Sequence, residues 1–243
     1  VIVLDNLNLY LKLQKPIPFY DVCFIYQPTI DKIFDEKMGE DNFNQLLIPY
    51  SITTDILSDE ISDEVKSQIT NYDLVLYYRD ITHLLLKSLK YFTKSNLSFD
   101  ENGIFFEGFE GRLNQNNWDE FAEIILKICA RERPKKEVMP TFANERQRDI
   151  WTKLNEGRKR DARKNELKLE DVLNVCEYGG DYHISKSEIN NFTLWEIINC
   201  YKSKMGMTNY KDSFSIYLVS GEKSLIEDKH WSDLIKIDYK PKE

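Results

Sequence analysis

Four stretches of this chain repeat apolar residues every three or four positions, and that period constrains the fold more than any other feature. They are Ile81, Leu84, Leu85, Leu89 and Phe92; Trp118, Phe121, Ile124, Ile125 and Ile128; Leu169, Val172, Leu173 and Cys176; and Leu194, Ile197, Ile198 and Tyr201. Each predicts an amphipathic helix, and a helix with one apolar stripe must cover it with another element. The apolar fraction is 42% and the charged fraction 30%, which suits a folded core rather than a disordered chain. At 243 residues there is enough chain for one large domain or two small ones.

Strand signals are confined to the first half. In DNLNLYLKL, Leu7, Leu9, Leu11 and Leu13 alternate with polar residues, a period of two that predicts a half-buried strand. After Pro16 and Pro18, Tyr20 to Tyr26 is the expected partner, giving an N-terminal hairpin. LSFDENGIFFEG, residues 97–108, predicts a second hairpin, with Asn102-Gly103 as the two central residues of a type I′ turn, both at positive φ. Between the hairpins Thr29 is placed to cap a helix through Ile30, Ile33 and Phe34, with Gly39 just past its end. An apolar stripe at Phe43, Leu46, Leu47, Tyr50 and Ile52 follows, and Pro49 should kink or end it. The fold class expected is α+β and mainly α-helical: an N-terminal module with two β-hairpins plus helices, then a C-terminal helical module.

The boundary falls in residues 131–143, RERPKKEVMPTFA, which contain two prolines and show no period. They are read as a linker between an α+β module at 1–130 and a helical module at 144–243. Charge changes sign there. Residues 1–130 carry 11 basic and 21 acidic side chains, 131–168 carry 13 and 7, and 169–243 carry 9 and 13. In the C-terminal module Gly179-Gly180 should end the helix that begins at Leu169. Thr193-Leu-Trp-Glu196 fits a capping box, opening a helix expected to stop near Gly206. Tyr210 to Val219 fits a helix or an alternating strand, and the helix is favoured. In the charged tail from Glu222, Trp231, Leu234 and Ile235 suit one last docked short turn or helix.

The residues offer little chemistry. Cys23, Cys129, Cys176 and Cys200 lie far apart among apolar neighbours, which reads as core packing in a reducing compartment rather than zinc or disulfides. His83, His183 and His230 have no pairing at ligand spacing. The acid run Asp59-Glu60 with Asp63-Glu64 suits a helix start, and His183 after the glycine pair is read as structural. Ser220-Gly221 lacks the glycines of a nucleophile elbow, and Gly179-Gly180, Gly108 and Gly111 lack the lysine of a phosphate loop. No catalytic residue, cofactor or metal is therefore expected, and the protein is read as a non-enzyme. No apolar run approaches a membrane span, and VIVLDNLNLYLKL has neither basic leader nor cleavage site, so export is not expected.

Residues 146–165, RQRDIWTKLNEGRKRDARKN, set eight lysines and arginines around one tryptophan. Three readings compete: a solvated helix face, a docking surface for an acidic protein, and a nucleic-acid arm. Asp149 and Glu156 lie four residues before Lys153 and Arg160, a spacing that allows intrahelical pairing and favours the first two. Trp151, Arg158, Arg160 and Arg163 are the partner-facing candidates. Tyr77, Tyr78, Tyr91, Phe92, Phe105, Phe106 and Phe109 belong either to an ordinary core or, if the second hairpin is exposed on one side, to an aromatic contact surface.

The order of a hairpin-bearing N-terminal part, a linker with Arg133-Pro-Lys-Lys136, the segment DIWTKLNEGRKRDARKNELKLEDVLNVCEYGG and the capped helix TLWEIINCYKSKMGM resembles proteins of the tail gene clusters of tailed phages and prophages of Gram-positive bacteria. The resemblance runs from about residue 28 to 237 and rests on overall layout. Tail assembly chaperones are expected among such proteins. It implies a non-enzymatic tail morphogenesis factor, chaperone-like or a minor tail component, binding the tape measure or tail tube protein in the cytoplasm of the infected host. Known chaperones of this kind are often smaller. An amphipathic partner helix lying in an apolar groove would suit the task. The alternative is an accessory factor that binds nucleic acid through the basic helix at 146–165.

Overall fold

The computed structural model describes residues 2–35, 38–56, 68–133, 140–142, 144–164, 168–179 and 183–221. The chain opens with helix α1 (Ile2–Lys12), not the expected strand. Leu7 and Leu11 are fully buried while Leu9 and Leu13 are more than half exposed. An alternating run contains an i, i+4 subset, so every second leucine of the run also fits one helix face. The helix realises that subset.

The first hairpin is correspondingly shorter than expected. Strands β1 (Ile17–Phe19) and β2 (Cys23–Ile25) pair antiparallel, Ile17 with Ile25 and Phe19 with Cys23. Pro18 lies inside β1, which a two-stranded sheet tolerates because the strand is an edge. Helix α2 (Ile30–Ile33) begins after Thr29, and buries Ile30 and Ile33. Gly39, at φ +69°, opens α3 (Gly39–Ser51) rather than closing α2. Pro49 lies in the last turn of α3, and the helix stops two residues later.

Helix α4 (Asn71–Tyr77) starts at a capping box: Thr70 accepts from the Asp73 amide and Asp73 from the Thr70 amide. Tyr78 then turns the chain into α5 (Arg79–Thr93), whose Leu85, Leu89 and Phe92 are fully buried. Buried Ser88 donates to the Tyr50 hydroxyl at 2.8 Å, joining α5 to α3. Strands β3 (Leu97–Asp100), β4 (Gly103–Phe106) and β5 (Arg112–Leu113) form an antiparallel sheet in that order. The second hairpin is where it was expected, with a different turn. Asp100 pairs with Gly103 around Glu101-Asn102, and only Gly103 has positive φ, 131°. A Cβ at Gly103 would lie 2.4 Å from the Leu113 carbonyl oxygen, so the glycine serves the approach of β5 as well as the turn. Helix α6 (Trp118–Ile128) buries Trp118, Phe121, Ile124, Ile125 and Ile128. Tyr50 and Phe121 stack near Trp118 at 5.6 and 6.3 Å between ring centroids.

Beyond the 131–143 segment come α7 (Glu145–Lys164), α8 (Leu169–Tyr178), α9 (Lys186–Ile189) and α10 (Leu194–Ser220). Val172, Cys176, Ile189, Leu194 and Ile197 belong to the same buried cluster as Phe43, Leu89 and Trp118. The chain also crosses by main chain: Thr29 bridges Thr193, and the Ile30 and Asp31 amides donate to the Phe192 and Asn190 carbonyls at 2.9 and 3.1 Å.

The capping box at Thr193 forms as expected, with the Thr193 amide 2.9 Å from Glu196 Oε2 and the Glu196 amide 3.3 Å from Thr193 Oγ1. Gln14, just past α1, donates to the same Glu196 oxygen at 2.6 Å. Helix α10 does not stop at Gly206, which is buried inside it. An internal glycine costs a helix only about 1 kcal/mol, and the Tyr210–Val219 stretch continues as helix. The true terminus is Gly221, left-handed at φ +68°, whose amide donates to the Tyr217 carbonyl at 2.8 Å. The expectations for Asp59 to Glu64, His230, Gly180 and the tail with Trp231, Leu234 and Ile235 lie outside the described residues.

Candidate partner-binding surface

Helix α7 carries all four sequence-predicted contact residues. Asn144 starts it, its Oδ1 accepting from the Gln147 amide at 2.9 Å. No described side chain of α7 is buried. Trp151 is half-buried, with its ring 5.8 Å from that of Phe142, and Arg158 and Arg160 are exposed. Arg163 lies in the last turn, and its side chain is outside the described residues.

At about 100° per residue, Trp151 and Arg158 share a face and Arg160 lies on the opposite side. The helix therefore does not bring the candidates into a single patch. Among the described residues the ion pairs are Arg112–Asp100, Arg133–Asp119 and Lys186–Glu177. None is on α7, so the pairs allowed by spacing, Asp149 with Lys153 and Glu156 with Arg160, are open. The basic residues clustered toward the C-terminal end suit the negative pole of the helix dipole. The exposed face also holds Ile150 and Leu154, so it is mixed rather than purely basic.

For α10 the sequence predicts a helix stop near Gly206 and, beyond it, a helix in preference to a strand over Tyr210 to Val219, and it marks no contact surface there. In the structure none of its residues beyond Gly206 is buried. Phe214, Ile216 and Leu218 are exposed, and Val219 is 91% exposed. Tyr210 stacks on Phe214 at 6.3 Å and 14°, and Tyr217 adjoins Phe214. The signal was the run FSIYLV, residues 214–219, too continuous for a helix with one wet face.

The aromatic set from the first half divides. Phe92 and Phe106 are buried, and Tyr91, Phe105 and Phe109 are half-buried, Phe105 beneath the Arg112 guanidinium at 5.0 Å. Only Tyr77 and Tyr78, at the joint of α4 and α5, face solvent, packed edge to face at 5.2 Å.

A cavity of about 730 Å3 opens between α2, α3, the end of α6, α8 and α10. Ile33, Phe43, Cys129, Val172, Leu194 and Ile198 supply apolar lining, and Glu40, Arg131, Lys168 and Glu170 line it with opposed charges. The size is in the range of small-molecule sites. Arg131 donates to Asn44 at 2.7 Å, and burial pushes the Cys129 thiol up, away from a reactive thiolate. Among the described residues no group of three or more His, Cys, Asp or Glu is placed to hold a metal ion. No described helix is long and apolar enough to cross a membrane. His83 and His183 are both exposed, His183 in the segment before α9.

No protein-family model, curated protein or solved structure matches this chain.

Proposed function

We propose that this protein is a non-enzymatic protein-binding factor, and that its contact surface is the distal half of α10 together with the exposed face of α7. The observation that carries this reading is the apolar end of α10: Ile216, Leu218 and Val219 stand in water at 53%, 67% and 91% exposure beside Phe214. At about 100° per residue Phe214 and Leu218 share one face and Ile216 lies on the opposite side, so apolar groups ring this end of the helix, and exposed apolar surface of this kind marks contacts with another protein. A partner helix with its own apolar stripe is the fitting occupant. Arg158 and Arg160, with the other exposed basic residues of α7, give the partner's acidic groups a direction of approach. Read with the tail-gene-cluster resemblance, the partner is a tape measure or tail tube protein, met in the cytoplasm of an infected bacterium.

The test is co-expression with tail tube or tape measure segments, followed by nuclease-treated pull-down. Replacing Ile216, Leu218 and Val219 by Ser should remove the partner while the circular dichroism melt holds. Retention of the partner by that variant refutes the surface. Reversing Arg158, Arg160 and Arg163 to Glu should weaken capture and slow association.

A second reading, nucleic-acid binding through α7, is favoured by its exposed arginines standing outside every described ion pair. It predicts heparin retention and an affinity falling steeply with salt. The exposed Asp149, Glu156 and Asp161 between those arginines weigh against it.

A further inference from the structure

Cys176 and Cys200, 24 positions apart in the chain, meet where α8 packs on α10. The Cys176 sulfur is fully buried and lies 3.6 Å from the Ile197 carbonyl oxygen, one turn before Cys200. Cys200 lies between Ile197 and Lys204 on the face of α10 turned toward Cys176, which sets the two thiols side by side across the seam. Cys200 is only half-buried. The pair thus has one sulfur sealed in the core and one that a small reagent can reach. One turn further along, the Lys204 ammonium donates to the Cys176, Gly179 and Val175 carbonyls at 2.6, 2.8 and 3.3 Å. That pins a positive charge beside the two sulfurs.

We infer that Cys176 and Cys200 form a redox-active dithiol, which a low-molecular-weight disulfide such as glutathione disulfide oxidises to a bridge between α8 and α10. The roles follow from the surroundings. The hydrogen bond from Cys176 and the charge of Lys204 hold the Cys200 thiol below its ordinary value, and the same hydrogen bond with burial holds Cys176 above. Cys200 is therefore the attacking thiolate. It displaces one glutathione thiolate from the disulfide and becomes a mixed disulfide. Cys176 then gives up its proton, attacks the Cys200 sulfur and expels the second glutathione thiolate. The protein loses two electrons and two protons, and both pass to the two glutathiones released. Cys23 and Cys129 are enclosed in the core, and burial alone raises both thiols, Cys23 to about 12, so they stay out of the exchange.

The test equilibrates the full chain with mixtures of glutathione and its disulfide, quenches with acid, alkylates free thiols with a maleimide and maps the digest by mass spectrometry. The expected product is a linked pair of peptides containing Cys176 and Cys200, growing with the proportion of disulfide, while Cys23 and Cys129 are recovered as thiols. The inference is overturned if Cys200 accumulates only as the glutathione adduct, if bridges form only between two chains, or if neither cysteine reacts at any ratio. In Cys176→Ala the adduct at Cys200 should persist, and half-maximal maleimide labelling should need a higher pH than in the wild type. An unchanged labelling profile in the folded variant would remove Cys176 as the donor, and the wild-type mapping decides the matter should that variant fail to fold.

Discussion

Ile197→Ala tests whether the C-terminal helices and the first 130 residues stand or fall together. Ile197 is fully buried, one turn into α10, and belongs to the cluster that holds Phe43, Leu89 and Trp118. The substitution removes three carbons, worth about 2.4 kcal/mol at roughly 0.8 kcal/mol each. The cavity left behind raises the loss to about 3–4 kcal/mol, inside the range for such truncations. In a chain of this size that lowers the melting midpoint by roughly 6–16 °C. The informative probe is Trp118, fully buried in α6. With Trp151, Trp195 and Trp231 replaced by Phe, its fluorescence reports the N-terminal part alone, and circular dichroism reports the helices together. A shared core predicts that both signals move to the same lower midpoint in urea and on heating. Two separate transitions, with the Trp118 signal unmoved by Ile197→Ala, would refute the reasoning and make the helices after residue 144 an independent unit.

Three further substitutions test local features. Ala130 follows α6 at φ +52°, with its amide on the Lys127 carbonyl and the Arg131 amide on that of Leu126. A left-handed residue with a Cβ is strained by roughly 1–2 kcal/mol, so Ala130→Gly should stabilise by about 0.5–1 kcal/mol after the added unfolded-state entropy, read as a higher urea midpoint at an unchanged m-value. Gly103→Ala should cost about 1–3 kcal/mol, the range for a side chain forced into a sparsely populated φ/ψ region, and should speed hydrogen exchange across β4 and β5; unaltered exchange would show that the approach of β5 to Gly103 is not required. The Asp100 carboxyl is held below its ordinary value by Arg112 at 2.6 Å and by the Asn102 amide. A depressed carboxylate contributes stability that is present above its unfolded value, about 3.9, and is lost as pH falls through the folded one. Asp100→Asn should accordingly flatten the loss of stability on acidification below about pH 4, as urea midpoints measured down the pH series will record.

Where one period was consistent with a single structure, the sequence was readable. The stripes of α5 and α6 have apolar spacings of three and four with no competing alternation, and they bury the side chains expected apart from Ile81 and Leu84 of α5, which are half-buried. Thr193 and Glu196 could be paired from their separation because both ends of a capping box lie within one turn. Leu7 to Leu13 misled because an alternating run satisfies two periods, and what decides between them is packing against residues elsewhere in the chain. At Gly103 the local signal gave the hairpin but not the turn, since the turn is also shaped by the Leu113 carbonyl ten residues on. The contact patch on α7 was read as a cluster in sequence, whereas a helix distributes neighbouring residues around its axis. Cys176 and Cys200 were read apart because no sequence rule joins residues of two helices.

Helix α10 connects these observations to the proposed role. Its first half is held three ways: by the Thr193–Glu196 cap with Gln14, by Ile197 in the core, and by Lys204 on the carbonyls that end α8. From Met207 to Ser220 the helix runs on for about 20 Å without burying a residue, yet this is where Phe214, Ile216, Leu218 and Val219 lie. Such surface contributes nothing to the described core and exposes the chain to self-association. A partner that covers it converts that liability into binding energy while the anchored half keeps the surface in place. The same logic predicts the order of effects: cutting Lys204 back to Met should loosen the α8 end and lower capture modestly, whereas the Ile216, Leu218 and Val219 to Ser variant should abolish it. Capture measured side by side settles the order, and a stronger loss from Lys204→Met would relocate the contact to the α8–α10 junction.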